Sequence, residues 1–343
     1  MDKTPHERGF SMPAEWERHS ATWLTWPHDD AHWPGLYDRI PPIFAHMVKE
    51  LESGEDVHIG IHDDETEGAA KKAMKNANVQ GDRVQLHRIP NNFSWARDHG
   101  PIFLKHADGR TMMVDWKFNG WGNKWDFTLD DDVPKFIETI TKIERVDGPM
   151  VLEGGSIDVN GKGTLLTTSS CLLHPNRNPQ LTKEQIEQNL QDYLGVTNVL
   201  WLGGEIQGDD TNGHIDDLTR FVGPRTILTV TEKDESSMNY VPLQKNLETL
   251  KTMNDQDGNL FEILEVPLPK PVIHEESQLP ASYANFYIGN DVVLLTVFDD
   301  PNDQIAVDTL ARCFPTRKIV PILSRDLIWG FGAFHCLTQQ QPV

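Results

Sequence analysis

The chain has 343 residues, 38% hydrophobic and 24% charged, and its 52 acidic against 31 basic side chains leave a formal net charge of −21. That balance argues against nucleic acid and anionic membranes as partners and favours a small cation. No run reaches the roughly 18 apolar residues of a membrane span, and with no apolar run after Met1-Asp2-Lys3-Thr4-Pro5-His6 and three cysteines, an odd count, the expectation is a cytoplasmic protein with reduced thiols.

In chain order, the first module opens on MPAEWERHSATWLTWPHDD, with a strand expected over 22–26 and a helix over 35–51. The alternation Val57, Ile59, Ile61 reads as a strand, 64–76 as a helix and 84–89 as a further strand. The later modules resemble one another more closely. Strands over 95–104 and 111–118 flank Asp108-Gly109 and precede a helix over 133–143. Strands over 153–159 and 163–168 flank Asn160-Gly161, a strong hairpin signal. The next helix begins at the capping pair Thr182 and Gln185, carries Ile186, Leu190, Tyr193 and Leu194 on one face, stops at Gly195, and a strand over 196–202 follows. The pattern returns as strands over 214–222 and 226–231, a helix over 237–253 and a strand over 261–266. Its last copy has strands over 283–288 and 292–297, a helix over 303–314 and a strand over 318–322.

A strand–strand–helix–strand unit thus recurs, with four clear copies and an irregular one in front. Recurrence at so long a period suggests a closed ring, an α/β fold in one domain spanning 1–343: a five-module α/β propeller. WGFGAFHCLT, over 329–338, is the leftover strand that would pair with the first module and hide its edge. On such a strand His335 and Cys336 point to opposite faces, so a base for Cys336 has to come from elsewhere.

Polar residues stand at the module heads: Asp98 in WARDHGP, Glu153 in VLEGGS, His214 and Asp216 in GHID, and Asn285 in SYANFY, with Cys336 on the closing strand. A spacing of two on a strand puts His214 and Asp216 on one face. Carboxylates crowded into one pocket repel each other and are costly to desolvate, so the cluster suits a cation. A guanidinium presents a planar fork of donors to several carboxylates and leaves its carbon open to a thiolate. His214 can then protonate the departing amine, and Trp95 can cover the cation with its ring.

These motifs resemble the agmatine deiminase and bacterial peptidyl-arginine deiminase group of the guanidino-modifying pentein superfamily. The likeness runs from MPAEWERHSATWLTWPH through NNFSWARDHGP, VLEGGSIDVNGKGTLLTTSSCLLHPNRNPQL, TNGHID and SYANFYI to HCLTQQQP. It implies the five-module propeller and a hydrolase that needs no metal or other cofactor. It places the nucleophile at Cys336, the general acid and base at His214, and the carboxylates that grip the guanidinium at Asp98, Glu153 and Asp216. Asn285 matches a position near the site. Three departures stand out: Gly330-Phe331-Gly332 in place of three glycines, Asp158 in place of a frequent His, and a short segment over 269–280.

The expected substrate is agmatine, with a homo-oligomer left open. Free arginine would need a cation for its carboxylate, and the only Arg beside a module-head acid is Arg97, which alternation turns away from Asp98. Peptidyl arginine escapes that objection. Two readings of other classes are a metal hydrolase built on His214, Asp216 and Glu153, which no HExxH or Cys-pair motif supports, and a non-catalytic propeller that binds amines.

Overall fold

The computed structural model describes residues 3–343, so Met1 and Asp2, at the head of the segment read for an export signal, lie outside the described residues. The recurring unit is visible in the hydrogen bonding. Ile102–His106 runs antiparallel to Thr111–Lys117, the helix Val133–Thr141 crosses over, and Glu144–Val151 returns parallel to Thr111–Lys117. That returning strand has no counterpart in the sequence reading, because its glutamate, arginine and aspartate mask the alternation.

The same antiparallel-then-parallel order recurs three more times. Ile157–Val159 pairs with Thr164–Thr168, then Asn198–Leu202. Thr219–Gly223 pairs with Thr226–Thr231, then Glu262–Pro267. Tyr287–Ile288 pairs with Val292–Val297, then Lys318–Leu323. The middle strand of each is almost wholly buried, since a strand flanked on both edges and covered on both faces has little contact with water. The helix Lys183–Leu194 begins at the expected capping box and ends at Gly195 in the left-handed region, φ 69°.

The front unit is also complete, but its outer strand comes from the other end of the chain. Thr338–Pro342 lies antiparallel to His19–Thr25, which pairs parallel with Asp56–Ile61 and through it with Val84–Arg88. The last strand therefore closes on the first module, as expected, but begins at Thr338. Trp329–Leu337 is not a strand. Leu327–Gly330 forms a 3-10 turn, and Leu337 N–H donates to Ala333 C=O at 3.1 Å.

The other module heads deviate in the same direction. Asp98 lies in the helical turn Ala96–His99, Glu153 immediately precedes the turn Gly154–Ser156, and Asp216 sits within the turn Ile215–Asp217. Glycines and short polar side chains favour such local turns over strand pairing. The two-residue alternation on which the reading of His214, Asp216, His335 and Cys336 rested therefore does not apply. Behind these turns lie buried strand residues of the core, among them Leu24, Leu166 and Leu294.

Candidate active site

Three functional groups meet over one glycine. A methyl group built on Gly155 would lie 2.6 Å from His214 Nδ1, 2.9 Å from Asp216 Oδ2 and 2.9 Å from Asp98 Oδ1. No side chain fits there, which is the physical need behind the second glycine of VLEGGS. The Gly155 N–H donates to Asp98 Oδ1 at 3.0 Å, and Trp121 Nε1–H donates to Asp98 Oδ2 at 2.9 Å. His214 is fully buried, with Nδ1 3.8 Å from Asp98 Oδ1 and 4.0 Å from Asp216 Oδ1. Neither its ring nitrogens nor Asp216 Oδ1 has a hydrogen-bond partner among the described residues. Buried polar atoms left unmatched in this way face a place where a ligand supplies the missing partners.

Cys336 completes the group, with Sγ 3.5 Å from Asp216 Oδ2. Asn285 holds it from two sides. Its Nδ2 bridges Cys336 Sγ and Asp217 Oδ1, each at 3.0 Å, and its Oδ1 accepts from the backbone N–H groups of His335 and Cys336. His335 does not face away, as the strand reading implied. Its Nδ1 lies 2.7 Å from Asp216 Oδ2 and its Nε2 2.9 Å from Glu15 Oε2. Glu15 in turn receives Arg97 and Arg220, whose second carboxylate is Asp158. Arg97 thus points away from Asp98, and Asp158 belongs to this buried charge network.

The electrostatics divide the groups into two sets. Burial, followed by the negative charges of Asp216, Asp217 and Asp98, pushes the Cys336 thiol well above its ordinary value. Asp98 is raised to about 6, again mainly by burial. Burial would lower His214, but the charge of Asp98, the neighbouring Cys171 sulfur and the charge of Asp216 outweigh it and hold the imidazole well above its ordinary value. For Asp216 burial is likewise opposed, by the hydrogen bond and charge of His335, and the carboxyl falls below its ordinary value. The site therefore combines a protonated thiol, a charged histidine and an ionised Asp216.

Glu153 is placed differently from the other two acids. Its Oε1 accepts from Arg177 Nε at 2.6 Å, both side chains are fully buried, and Oε2 has no partner among the described residues. Glu153, Cys171 and His214 each bring a donor atom within 4.8 Å of the others. A metal ion there would compete with the Arg177 guanidinium for Glu153, so the donor set does not fit a resident metal well.

Above these groups opens a cleft of about 220 Å³ with Cys336 and Asp98 among its lining residues. Its walls are aromatic: Phe93, Trp95, Trp121, Trp125, Trp329 and Phe331. Trp95 thus lines the path to Cys336. Among the described residues no Lys or Arg lines the cleft, whereas Asp210 does, next to Trp125.

The family model for Porphyromonas-type peptidyl-arginine deiminase matches residues 11–342. The chain belongs to this deiminase family. The agmatine deiminase of Enterococcus faecalis is similar over 100% of this chain and 98% of its own, at 31% identity and a TM-score of 0.93. The C. jejuni agmatine deiminase solved with substrate bound covers 97% of this chain and 96% of its own, at 34% identity and a TM-score of 0.88. A Mycoplasma capricolum protein provisionally named agmatine deiminase is 35% identical over 100% of this chain and 98% of the relative. The mixed α/β fold is thus that of pentein-type deiminases, and the enzyme class of the family is hydrolysis of amidine C–N bonds.

Within this deiminase fold, sequence reasoning missed Glu15, Arg177, Arg220, Asp217 and Cys171. Glu15 and Arg220 are distant in sequence and touch the site only through His335 and Asp216. Arg177 gave a usable signal, since the motif HPNRNP places one arginine among turn formers after a buried cysteine.

Proposed function

We propose that this protein is an agmatine deiminase, hydrolysing the guanidino group to N-carbamoylputrescine and ammonia. The supporting observation is the meeting of Cys336, His214, Asp98 and Asp216 at the base of an aromatic cleft without a lining Lys or Arg. A guanidinium between Asp98 and Asp216 satisfies the vacant Asp216 Oδ1 and brings its carbon towards Sγ. The same cation stabilises a thiolate that the site otherwise disfavours, so Cys336 releases its proton to solvent once substrate is bound.

Cys336 Sγ bonds to the guanidino carbon, and the C–N bond to one amine breaks as His214 supplies its proton; ammonia leaves. A covalent amidino-thioether remains on Cys336. Water, deprotonated by the now neutral His214, attacks that carbon, the C–S bond breaks, and the ureido product departs. Glu153 acts through His214 in this scheme, with Arg177 balancing its charge, while Asn285 and Asp217 orient Cys336. Trp95 lies against the substrate chain.

Agmatine is favoured over arginine on charge. An α-carboxylate would find no lining Lys or Arg and would approach Asp210, whereas an ammonium group gains from that acid. The family match keeps one second reading in view, peptidyl arginine, which lacks a free carboxylate. Measuring ammonia release from agmatine, arginine and an arginyl peptide decides among the three, and no release from any of them overturns the proposal. The five sheets are proposed to stand as blades of one propeller domain around the axis on which Glu15, Arg97, Arg220 and His335 meet. The setting is proposed to be cytoplasmic, with a small cationic guanidine as partner; no described helix is long and apolar enough to cross a membrane.

A further inference from the structure

Phe331 has a backbone that its side chain does not favour. Its φ is 68°, in the left-handed region where a bulky residue is a conformational outlier. The residue caps the turn Leu327–Gly330, donating its N–H to Ile328 C=O at 2.9 Å. The flanking glycines lie against two tryptophans, Trp33 and the cleft-lining Trp95. A methyl group on Gly330 would come within 2.7 Å of the Trp33 indole, and one on Gly332 within 2.6 Å of Trp95. The loop is therefore pressed onto both rings, and its direction at Phe331 is set by those contacts. Trp329, 6.3 Å from the Phe331 ring centre, is itself backed by His274 at 3.9 Å. His274 belongs to the short hairpin Ile273–His274 with Ser277–Gln278, so the segment over 269–280 supports this wall.

Glycine at 331 would relieve the strain and leave the cleft wider. Strain that persists beside a reactive group, where a strain-free residue fits, points to what the side chain does there. We propose that Phe331 is a specificity-determining residue: its ring narrows the cleft to an unbranched alkyl guanidine and excludes one substituted at the carbon bearing the amine. The proposal rests on the deiminase reading and names the shape of substrate that this wall admits.

The test compares wild type with Phe331→Gly and Phe331→Asn, two residues that accept a left-handed backbone, on agmatine and on Nα-acetyl-arginine amide. Phe331→Gly should melt no lower than wild type. For both variants the agmatine KM should rise about tenfold with kcat within about threefold, the pattern of lost ground-state contact. The preference for agmatine over the branched amide, as a ratio of kcat/KM, should fall at least about tenfold, the scale at which pocket shape discriminates. Folded variants with an unchanged ratio, in an active wild type, overturn the role of Phe331. A wild type that releases ammonia from neither compound instead overturns the deiminase reading itself, so the two failures are distinguishable.

Discussion

Replacing Asp98 by Asn should abolish turnover and yet make the empty protein more stable in mild alkali. Asp98 is buried, and its folded-state value, about 6, lies above the 3.8 of an unperturbed carboxyl. Below 3.8 both folded and unfolded chains hold the proton, and the group contributes nothing. Between 3.8 and about 6 the unfolded chain ionises first, so a penalty on folding grows; above about 6 it is fully present. At roughly 1.4 kcal/mol per pH unit, the gap amounts to about 3 kcal/mol. Asparagine keeps an oxygen for the Gly155 N–H but turns its own NH₂ towards Trp121 Nε1–H, and losing that bond costs about 1–2 kcal/mol. The net expectation is a variant about 1–2 kcal/mol more stable at pH 8, with the gain vanishing near pH ~5. Urea unfolding at both pH values, with an unchanged slope, reads this directly. Turnover of agmatine should fall by about 10³ or more, since the lost charge faces the guanidinium. A variant less stable than wild type at pH 8, or a difference that does not change with pH, would refute the assignment of Asp98 as an acid held at a cost to the fold.

Other outcomes follow from the same geometry. Cys313→Ala should leave turnover unchanged, and Cys171→Ala should retain turnover with a shifted pH profile, because Cys171 neighbours His214. Steady-state kinetics against pH checks both, and loss of all activity in Cys313→Ala contradicts the assignment. Agmatine should exceed free arginine in kcat/KM by at least ~100-fold, in keeping with a few kcal/mol of differential binding; a preference for arginine would defeat the charge argument. His335→Gln keeps one donor but cannot bridge Asp216 and Glu15, so kcat should drop while the fold survives, with agmatine still raising the melting temperature. A ligand at a hundred times its Kd stabilises by about 2.7 kcal/mol, and wild-type kinetics in His335→Gln would assign that residue to the scaffold alone.

The repeating unit was legible because hairpin signals, the Thr182 capping box and apolar runs are local features. The site residues were legible as polar residues at equivalent points of that repeat. Their conformation was not. Strand alternation was extended back through Asp98, Glu153, His214 and Cys336, but each lies in or immediately before a glycine-rich or polar turn ahead of its strand. That error turned His335 away from the site, although it grips Asp216. The network through Glu15, Arg97 and Arg220 was beyond local reading, because its members are far apart in sequence and meet only in the folded chain. The contact of Arg177 with Glu153, 24 residues away within one unit, was missed although HPNRNP marked the arginine.

The central claim is that Cys336 carries the guanidino carbon between the two halves of the reaction. Acid-quenching the protein during agmatine turnover, followed by mass spectrometry of its peptides, tests this most directly. The account predicts a transient adduct with the mass of agmatine less ammonia on the peptide containing Cys336, absent from Cys336→Ala and from peptides containing Cys171 or Cys313. Ammonia release by Cys336→Ala at the wild-type rate, or an adduct on Cys171 instead, would contradict it.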